Sequence, residues 1–366
     1  MRNIAPPKVF IIPRSVVRAH PSPPQHNITL RITRIPSQWL PLHSGSSLLA
    51  QGERDRCRSE DAQEPGLSRF FKPQTAHYLM EDRMHTFQDR VAVITGAASG
   101  IGRGLARRCA HEGMKVVLAD VEPAALAEAE SELRSHGTPV LALVTDVSQA
   151  LQMELLAQKT LDTFGAIHLL CNNAGVGLVR SVWESTLADW EWVLGVNLWG
   201  VIHGLRVFVP IMLKQDTEGH IVNTASISGL IVGPGSSSTY NVSKHGVVAL
   251  SETLYYELAQ RGAKVKVSVL LPCWVNTRIF DAERNRPVEL RNDPLVLPVD
   301  PETDAVIEAG RQAAQQGMSP DQVAQLVFQA IESEQLYVFT HPETKEWVRI
   351  QMEHMLAERN PPVESD

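Results

Sequence analysis

From Arg90 onward, short runs of β-branched and apolar residues alternate with longer stretches whose apolar positions recur every three or four residues. The short runs are Val91–Thr95, Lys115–Ala119, Val140–Val144, His168–Cys171, His220–Ala225, Val265–Leu271 and Leu336–Thr340, and each reads as a strand. The stretches between them predict helices over residues 100–113, 123–136, 148–164, 187–214, 239–261, 302–317 and 319–334. Runs such as VVLAD, HLLCN and KVSVLLP stay apolar from end to end, as expected of strands buried on both faces of a parallel sheet. Right-handed crossovers then place helices on both sides of it. The expectation is an α/β fold of three layers around a seven-stranded parallel sheet.

The first 84 residues show neither period. They hold 10 of the 23 prolines and carry six Lys or Arg, but no acid, before Glu53. Their net charge is +5, which leaves −12 on the remainder of a chain whose total is −7. This divides the chain into an irregular extension over 1–84, a folded domain over 85–342 and a polar helical tail over 343–366. The extension reads either as a basic organelle-targeting presequence or as a segment without function ahead of true initiation near Met80 or Met84. The acidic folded part offers no basic field for nucleic acid. Cys57, Cys109, Cys171 and Cys273 lack CxxC spacing, and the 13 His form no HExxH, so no metal site is expected and the cytoplasm is the default compartment. The best membrane candidate, Leu198 to Leu213, is broken by His203, Arg206 and Pro210, so no span is expected.

Chemistry starts where the first strand ends, at Thr95-Gly96-Ala97-Ala98-Ser99-Gly100-Ile101-Gly102. Glycines at a strand-to-helix turn let backbone approach a pyrophosphate, whose charge meets the N–H groups of the helix start. The next strand ends in Asp120, 24 residues after Gly96, where a carboxylate accepts hydrogen bonds from ribose hydroxyls. The same carboxylate repels a 2′-phosphate, which favours NAD, while Arg103 beside the turn leaves NADP open. Asp120 also suits a helix N-cap before Val121, and the two roles are compatible. The fold becomes Rossmann-like.

Tyr240 and Lys244 stand four residues apart, one above the other on a helix. A nearby ammonium is expected to lower the phenol from its usual pKa of about 10 and make Tyr240 a general acid/base. Ser226, 14 residues earlier at a strand end, can hydrogen-bond the substrate oxygen and stabilise charge developing on it. Taken singly, the pair also reads as a packed Tyr beside a surface Lys.

These residues resemble the short-chain dehydrogenase/reductases, in the branch with a single domain of about 250 residues. The resemblance runs from Phe87 to about His341. Beyond TGAASGIG it includes Asp146-Val147, Asn172-Asn173-Ala174-Gly175, Asn197 in VNLWG, Ser226 in IVNTASISG and Tyr240 with Lys244 in YNVSK. It implies hydride transfer between NAD(P) and a secondary alcohol or ketone, with Asn197, Ser226, Tyr240 and Lys244 catalytic. Gly96, Ser99, Gly100, Ile101 and Gly102 would hold the pyrophosphate, with Asp146 and Val147 flanking adenine. Asn172 to Gly175 would serve the adenine side and the core. Lys244 would hold the nicotinamide ribose, Asn197 a water relaying protons to Lys244, and Val275 and Thr277 after Pro272 the carboxamide. One position departs from the pattern: Cys273 replaces the glycine that usually follows the proline, so the loop there is expected to differ in shape. Cys273 itself has no adjacent His and is not expected to be a nucleophile.

Arg278 to Val299 mixes three prolines with apolar residues and reads as a mobile lid. Leu178, Val179, Trp183, Ile231, Val232 and Trp274 could line a pocket for a hydrophobic small molecule, a bulky or alicyclic secondary alcohol or ketone, or could be ordinary core. In the family the helices over 187–214 and 239–261 pack against a second copy, which implies a homodimer or homotetramer. Two other activities share these motifs: a catalytically silent NAD-binding sensor or scaffold, and a nucleotide-sugar epimerase or dehydratase. The latter usually needs a larger C-terminal substrate domain than the stretch after Pro272 provides.

Overall fold

The computed structural model describes Met84 and residues 86–233, 237–293 and 301–361. The expected extension, apart from Met84, and the end of the expected lid, 294–299, lie outside the described residues. Seven strands appear: β1 (Val91–Thr95), β2 (Lys115–Asp120), β3 (Val140–Val144), β4 (Leu169–Asn172), β5 (Gly219–Thr224), β6 (Val265–Leu271) and β7 (Tyr337–Phe339). All pair in parallel, in the order β3-β2-β1-β4-β5-β6-β7. The order reverses between β1 and β4, which opens a crevice above the carboxyl ends of those two strands.

The helices are α1 (Gly100–His111), α2 (Pro123–Ser135), α3 (Ala150–Phe164), α4 (Leu187–Leu194), α5 (Gly200–Gln215), α6 (Ser238–Gln260), α7 (Pro301–Gln315), α8 (Pro320–Glu332) and α9 (Thr344–Leu356). Alternate strand residues serve opposite faces, as the two-residue period requires. Ala92, Ile94, Val116 and Leu118 pack with α1, α2 and α8, where Phe87 meets the Phe328 ring at 4.8 Å. Val91, Val93, Val117 and Ala119 pack with α3, α5 and the end of α6. Met84 and Phe87 belong to the first of these cores, so among the described residues buried packing reaches the edge of the expected domain.

The helix expected over 187–214 is interrupted by a wider π-helical turn, Gly195–Trp199, a feature that often marks functional sites. By length and composition this run, Leu187–Gln215, could cross a membrane, with a mean hydropathy of 1.5 and a third of that window buried. Here its inner face, with Val201, Gly204, Phe208 and Met212, covers the sheet. The described part of the expected lid forms two turns of 3-10 helix, Ile279–Asn285 and Val288–Leu290. They are packed as a wall: Ala282 and Leu290 join Val176, Leu178, Trp192 and Val193 in a small core of their own.

Candidate active site

The turn after β1 needs glycine. Gly96 and Gly100 hold φ of +65° and +52°, and a Cβ on Gly96 would lie 2.7 Å from Ala174 Cα. A Cβ on Gly102 would lie 2.1 Å from the Gly96 carbonyl oxygen. Thr95 Oγ1 ties the turn to the loop after β4, accepting from the backbone N–H groups of Asn173 (2.9 Å) and Ala174 (3.1 Å). Asn173 Nδ2 donates back to the Thr95 carbonyl at 3.0 Å. The two strands at the crevice are thereby locked in register at the point of ligand approach.

Asp120 ends β2 with its carboxylate folded over the turn. Oδ2 accepts from Ala98 N (2.9 Å) and Oδ1 from Glu122 N (3.0 Å). Burial raises its pKa, and these two bonds offset only part of that rise. The N-cap of α2 is Glu122, so Asp120 closes a turn and does not cap the helix. Arg103 is taken by Glu132 at 2.7 Å. Asp146 Oδ1 accepts from Ser148 N and Oγ, and Val147 packs beneath Gly200, where a Cβ would lie 2.7 Å from Val147 Cγ2.

Ser226 caps the short turn after β5. Its Oγ accepts from Ser228 N (3.1 Å) and lies 3.4 Å from the Pro272 carbonyl. The Tyr240 phenol lies beside Ser226, which acts to lower its pKa. Lys244, one turn along α6, is 3% exposed; its ammonium donates to the Thr224 carbonyl at 2.9 Å and sits 5.5 Å from the centre of the Tyr240 ring. The expected lowering of the phenol by this lysine is corrected here. Desolvation raises the Tyr240 pKa, Ser226 is what opposes it, and burial takes Lys244 itself down to about 8.

Asn197 sits in the π-helical turn, fully buried, and both ends of its amide are committed. Oδ1 accepts from Val176 N (2.8 Å); Nδ2 donates to the Val176 carbonyl (2.9 Å) and to Ser243 Oγ (3.1 Å). Ser243 Oγ in turn donates to the Tyr240 carbonyl at 2.6 Å. The side chain therefore pins the loop after β4 to the helix that carries Tyr240.

A cavity of about 1390 Å³ runs along this edge of the sheet. Of the residues expected at cofactor or substrate, Gly96, Ser99, Gly100, Ile101, Asp120, Asp146, Val147, Asn173, Ala174, Gly175, Ser226, Tyr240, Lys244, Pro272, Val275 and Thr277 all line it. Gly102 and Asn197 stand behind the lining. A Cβ on Gly100 would lie 3.0 Å from Thr277 Cγ2, so the loop after β6 closes directly over the glycine turn. Cys273 also lines the cavity; burial raises its thiol pKa, which suits a wall residue.

The apolar end is only partly as expected. Leu178, Val179 and Trp274 line the cavity, whereas Trp183 is 85% exposed. Ile231 and Val232 also lie off the cavity, because Gln351 of α9 holds that segment: Val232 N donates to Gln351 Oε1 (3.1 Å) and Gln351 Nε2 donates to the Leu230 carbonyl (3.3 Å). In their place stand Trp192, Phe280 and the α7 residues Val306, Ile307 and Gly310. The α7 residues share one helix face, so their spacing carries a signal for a buried face but none for which cavity it meets.

Known proteins share this architecture. The model of the short chain dehydrogenase family matches residues 90–287, more than half of the chain. A dehydrogenase/reductase of CLA biosynthesis from Lactiplantibacillus plantarum is 32% identical over 76% of this chain and 98% of its own length. The 1-deoxy-11-beta-hydroxypentalenate dehydrogenase of Streptomyces avermitilis is 35% identical over 72% of this chain and 88% of its own. A short-chain dehydrogenase/reductase from Burkholderia phymatum, solved in complex with NAD, is 46% identical, with a TM-score of 0.75 over 77% of this chain and all of that one. The chain belongs to the short-chain dehydrogenase family, as its glycine turn and YNVSK segment imply.

Proposed function

We propose that this protein is an NAD-dependent dehydrogenase or reductase of a hydrophobic secondary alcohol or its ketone. The observation that carries the reading is the meeting of Ser226, Tyr240 and Lys244 at one wall of the cavity that begins over the glycine turn. The cradle suits a dinucleotide, since Gly96 and Gly102 have no room for a side chain and Asp120 stands at the strand end. Asp120 and the pairing of Arg103 with Glu132 favour NAD over its phosphorylated form. When bound, NAD supplies the hydride acceptor.

In reduction the Tyr240 phenol donates its proton to the substrate oxygen as the carbon gains hydride and is left as phenolate; in the oxidative direction that phenolate takes the hydroxyl proton back as the carbon loses hydride. Ser226 Oγ–H donates to the same substrate oxygen, holding it against the phenol. The Lys244 ammonium, anchored on Thr224, keeps a positive charge behind the phenol while negative charge grows there. Asn197 keeps α6 and the loop after β4 at fixed separation. Trp192, Trp274 and Phe280 make the substrate end apolar.

Purified protein supplied with NAD and secondary alcohols should form reduced nicotinamide, read by its absorbance. Tyr240→Phe should cut turnover about a thousandfold or more, while NAD binding, read by tryptophan quenching, persists. NAD binding without turnover of any alcohol or ketone would leave a silent binding protein instead.

Oligomerisation belongs to the same reading. Val242 and Tyr256 are each at least half exposed on α6, and a second copy covers them in a dimer or tetramer. Light scattering on the eluting protein measures this, and a monomer at micromolar concentration rejects it.

A further inference from the structure

The wall over residues 278–293 is held by a knot that lies outside the cavity. Asp189 is fully buried in the first turn of α4 and is also the N3 residue of that helix's capping box, its Oδ2 accepting from Thr186 N at 2.9 Å. Arg286, 3% exposed, reaches it from the wall: Nη2 donates to Asp189 Oδ1 at 2.6 Å. Two further guanidinium bonds go to the wall itself, Nε to the Leu290 carbonyl (2.7 Å) and Nη1 to Glu283 Oε1 (2.9 Å). Its carbon lies 4.9 Å from the centre of the Trp192 ring. Asn292 adds a second tie, donating to Asp189 Oδ1 (2.8 Å) and accepting from Thr186 Oγ1 (3.0 Å). Arg180, from the loop after β4, brings its Nε within 3.6 Å of Asp189 Oδ2 and has no hydrogen-bond partner for that atom.

The wall and the loop before α4 thus converge on one carboxylate, and the wall residues on the other side of the knot, Phe280, Ala282 and Leu290, face the cavity. The residues just before Arg286 are tied differently. Arg284 and Asn285 bind Glu122 beside the adenosine end, through bonds that are more open to solvent. A buried pair broken on one side leaves an uncompensated charge, whereas an exposed pair lost costs little. Arg311 of α7 ties a further point, donating to Asp281 Oδ1 at 3.1 Å, so the wall has one buried pin and several that are more open to solvent.

We propose that Asp189 and Arg286 form a latch that builds the substrate end of the cavity before substrate arrives, making Arg286 a positioning residue that sets which substrate lengths fit. The latch rests on the reading of this cavity as an alcohol or ketone site, but its existence can be tested without turnover. Arg286→Met keeps the contact with Trp192 and removes the pin; Asn292→Ala loosens it more gently and serves if the first variant does not fold.

Trypsin reads the wall directly, through cleavage after Arg278, Arg284 and Arg291 followed by mass spectrometry. Cleavage there should accelerate by about tenfold or more in Arg286→Met and by about threefold in Asn292→Ala, with NAD affinity within about twofold of the parent. With NAD saturating and 2-alkanols from 2-butanol to 2-decanol as substrates, KM should rise by about tenfold, most for the longest, with kcat moving far less. A folded variant that keeps the parent's cleavage rates and chain-length profile overturns the latch, as does a lowered melting temperature with KM unmoved. If the parent oxidises no alkanol, the reading of the site fails, and the trypsin result still decides the latch.

Discussion

The cradle around Gly96 and the wall over residues 278–293 face the same cavity, yet the bonds that make them differ in range and in kind. The cradle is held against backbone: Thr95 Oγ1 accepts from the N–H groups of Asn173 and Ala174, Asn173 Nδ2 donates to the Thr95 carbonyl, and glycines bring the chain close because nothing larger fits. The wall is side chain against side chain: Arg286 on Asp189, Arg284 on Glu122 and Phe280 against Trp274 at 6.3 Å. Backbone geometry accepts few substitutions and can hold a ligand part that never varies. Side-chain packing tolerates exchange and can suit one substrate after another.

Substitutions can break this contrast from either side. The largest effect is expected at Gly102→Ala, whose new Cβ would press on the Gly96 carbonyl. NAD affinity should fall by about ten- to a hundredfold, measured by titration with tryptophan quenching, and unchanged affinity would mean that the cradle yields as readily as the wall. Next comes Phe280→Ala, which empties the space against Gly310, where a Cβ would lie 2.4 Å from the ring. KM for a bulky secondary alcohol should change by about three- to tenfold with NAD affinity unmoved, and a parallel loss of NAD affinity would erase the distinction between the two regions.

The smallest effect on either site comes from acid, acting at the opposite ends of the strands. His220 is fully buried against Ser268 Oγ at 2.8 Å, and burial holds its pKa down to about 3; His168 accepts from Val91 N and is lowered to about 4. Between these values and the ordinary 6.5, the unfolded chain binds more protons than the folded one, so this stability is fully present above pH 6.5 and is lost as pH falls toward 3. The urea midpoint should therefore drop from pH 7 to pH 4, and less steeply in His220→Gln. KM and NAD affinity of the folded fraction should show no share of that drop that can be traced to these histidines. A midpoint independent of pH would show that the strand ends carry no such linkage.

The cradle was legible because its signals are local. Gly96 to Gly102, Asp120 and the Tyr240–Lys244 spacing each lie within one turn, one strand end or one helix step, and Gly96, Ser99, Gly100, Ile101, Asp120, Tyr240 and Lys244 line the cavity. Asn197 was legible as a position but not as a contact, since its partners Val176 and Ser243 are joined to it only by folding. The wall could be seen in the sequence as proline and apolar residues, but not as a latched structure. Arg286 and Asp189 stand 97 positions apart, and neither carries a mark that names the other.

The sequence by itself determined the alternation of strands and helices, the dinucleotide turn and the presence of a phenol beside an amine, because short-range geometry follows from residue type and spacing. Only the tertiary structure decided which way those groups titrate and what closes the substrate end. Both depend on burial and on charges brought together from distant segments: desolvation raises Tyr240 and lowers Lys244, and a buried carboxylate in α4 receives its arginine from the wall, 97 positions along the chain.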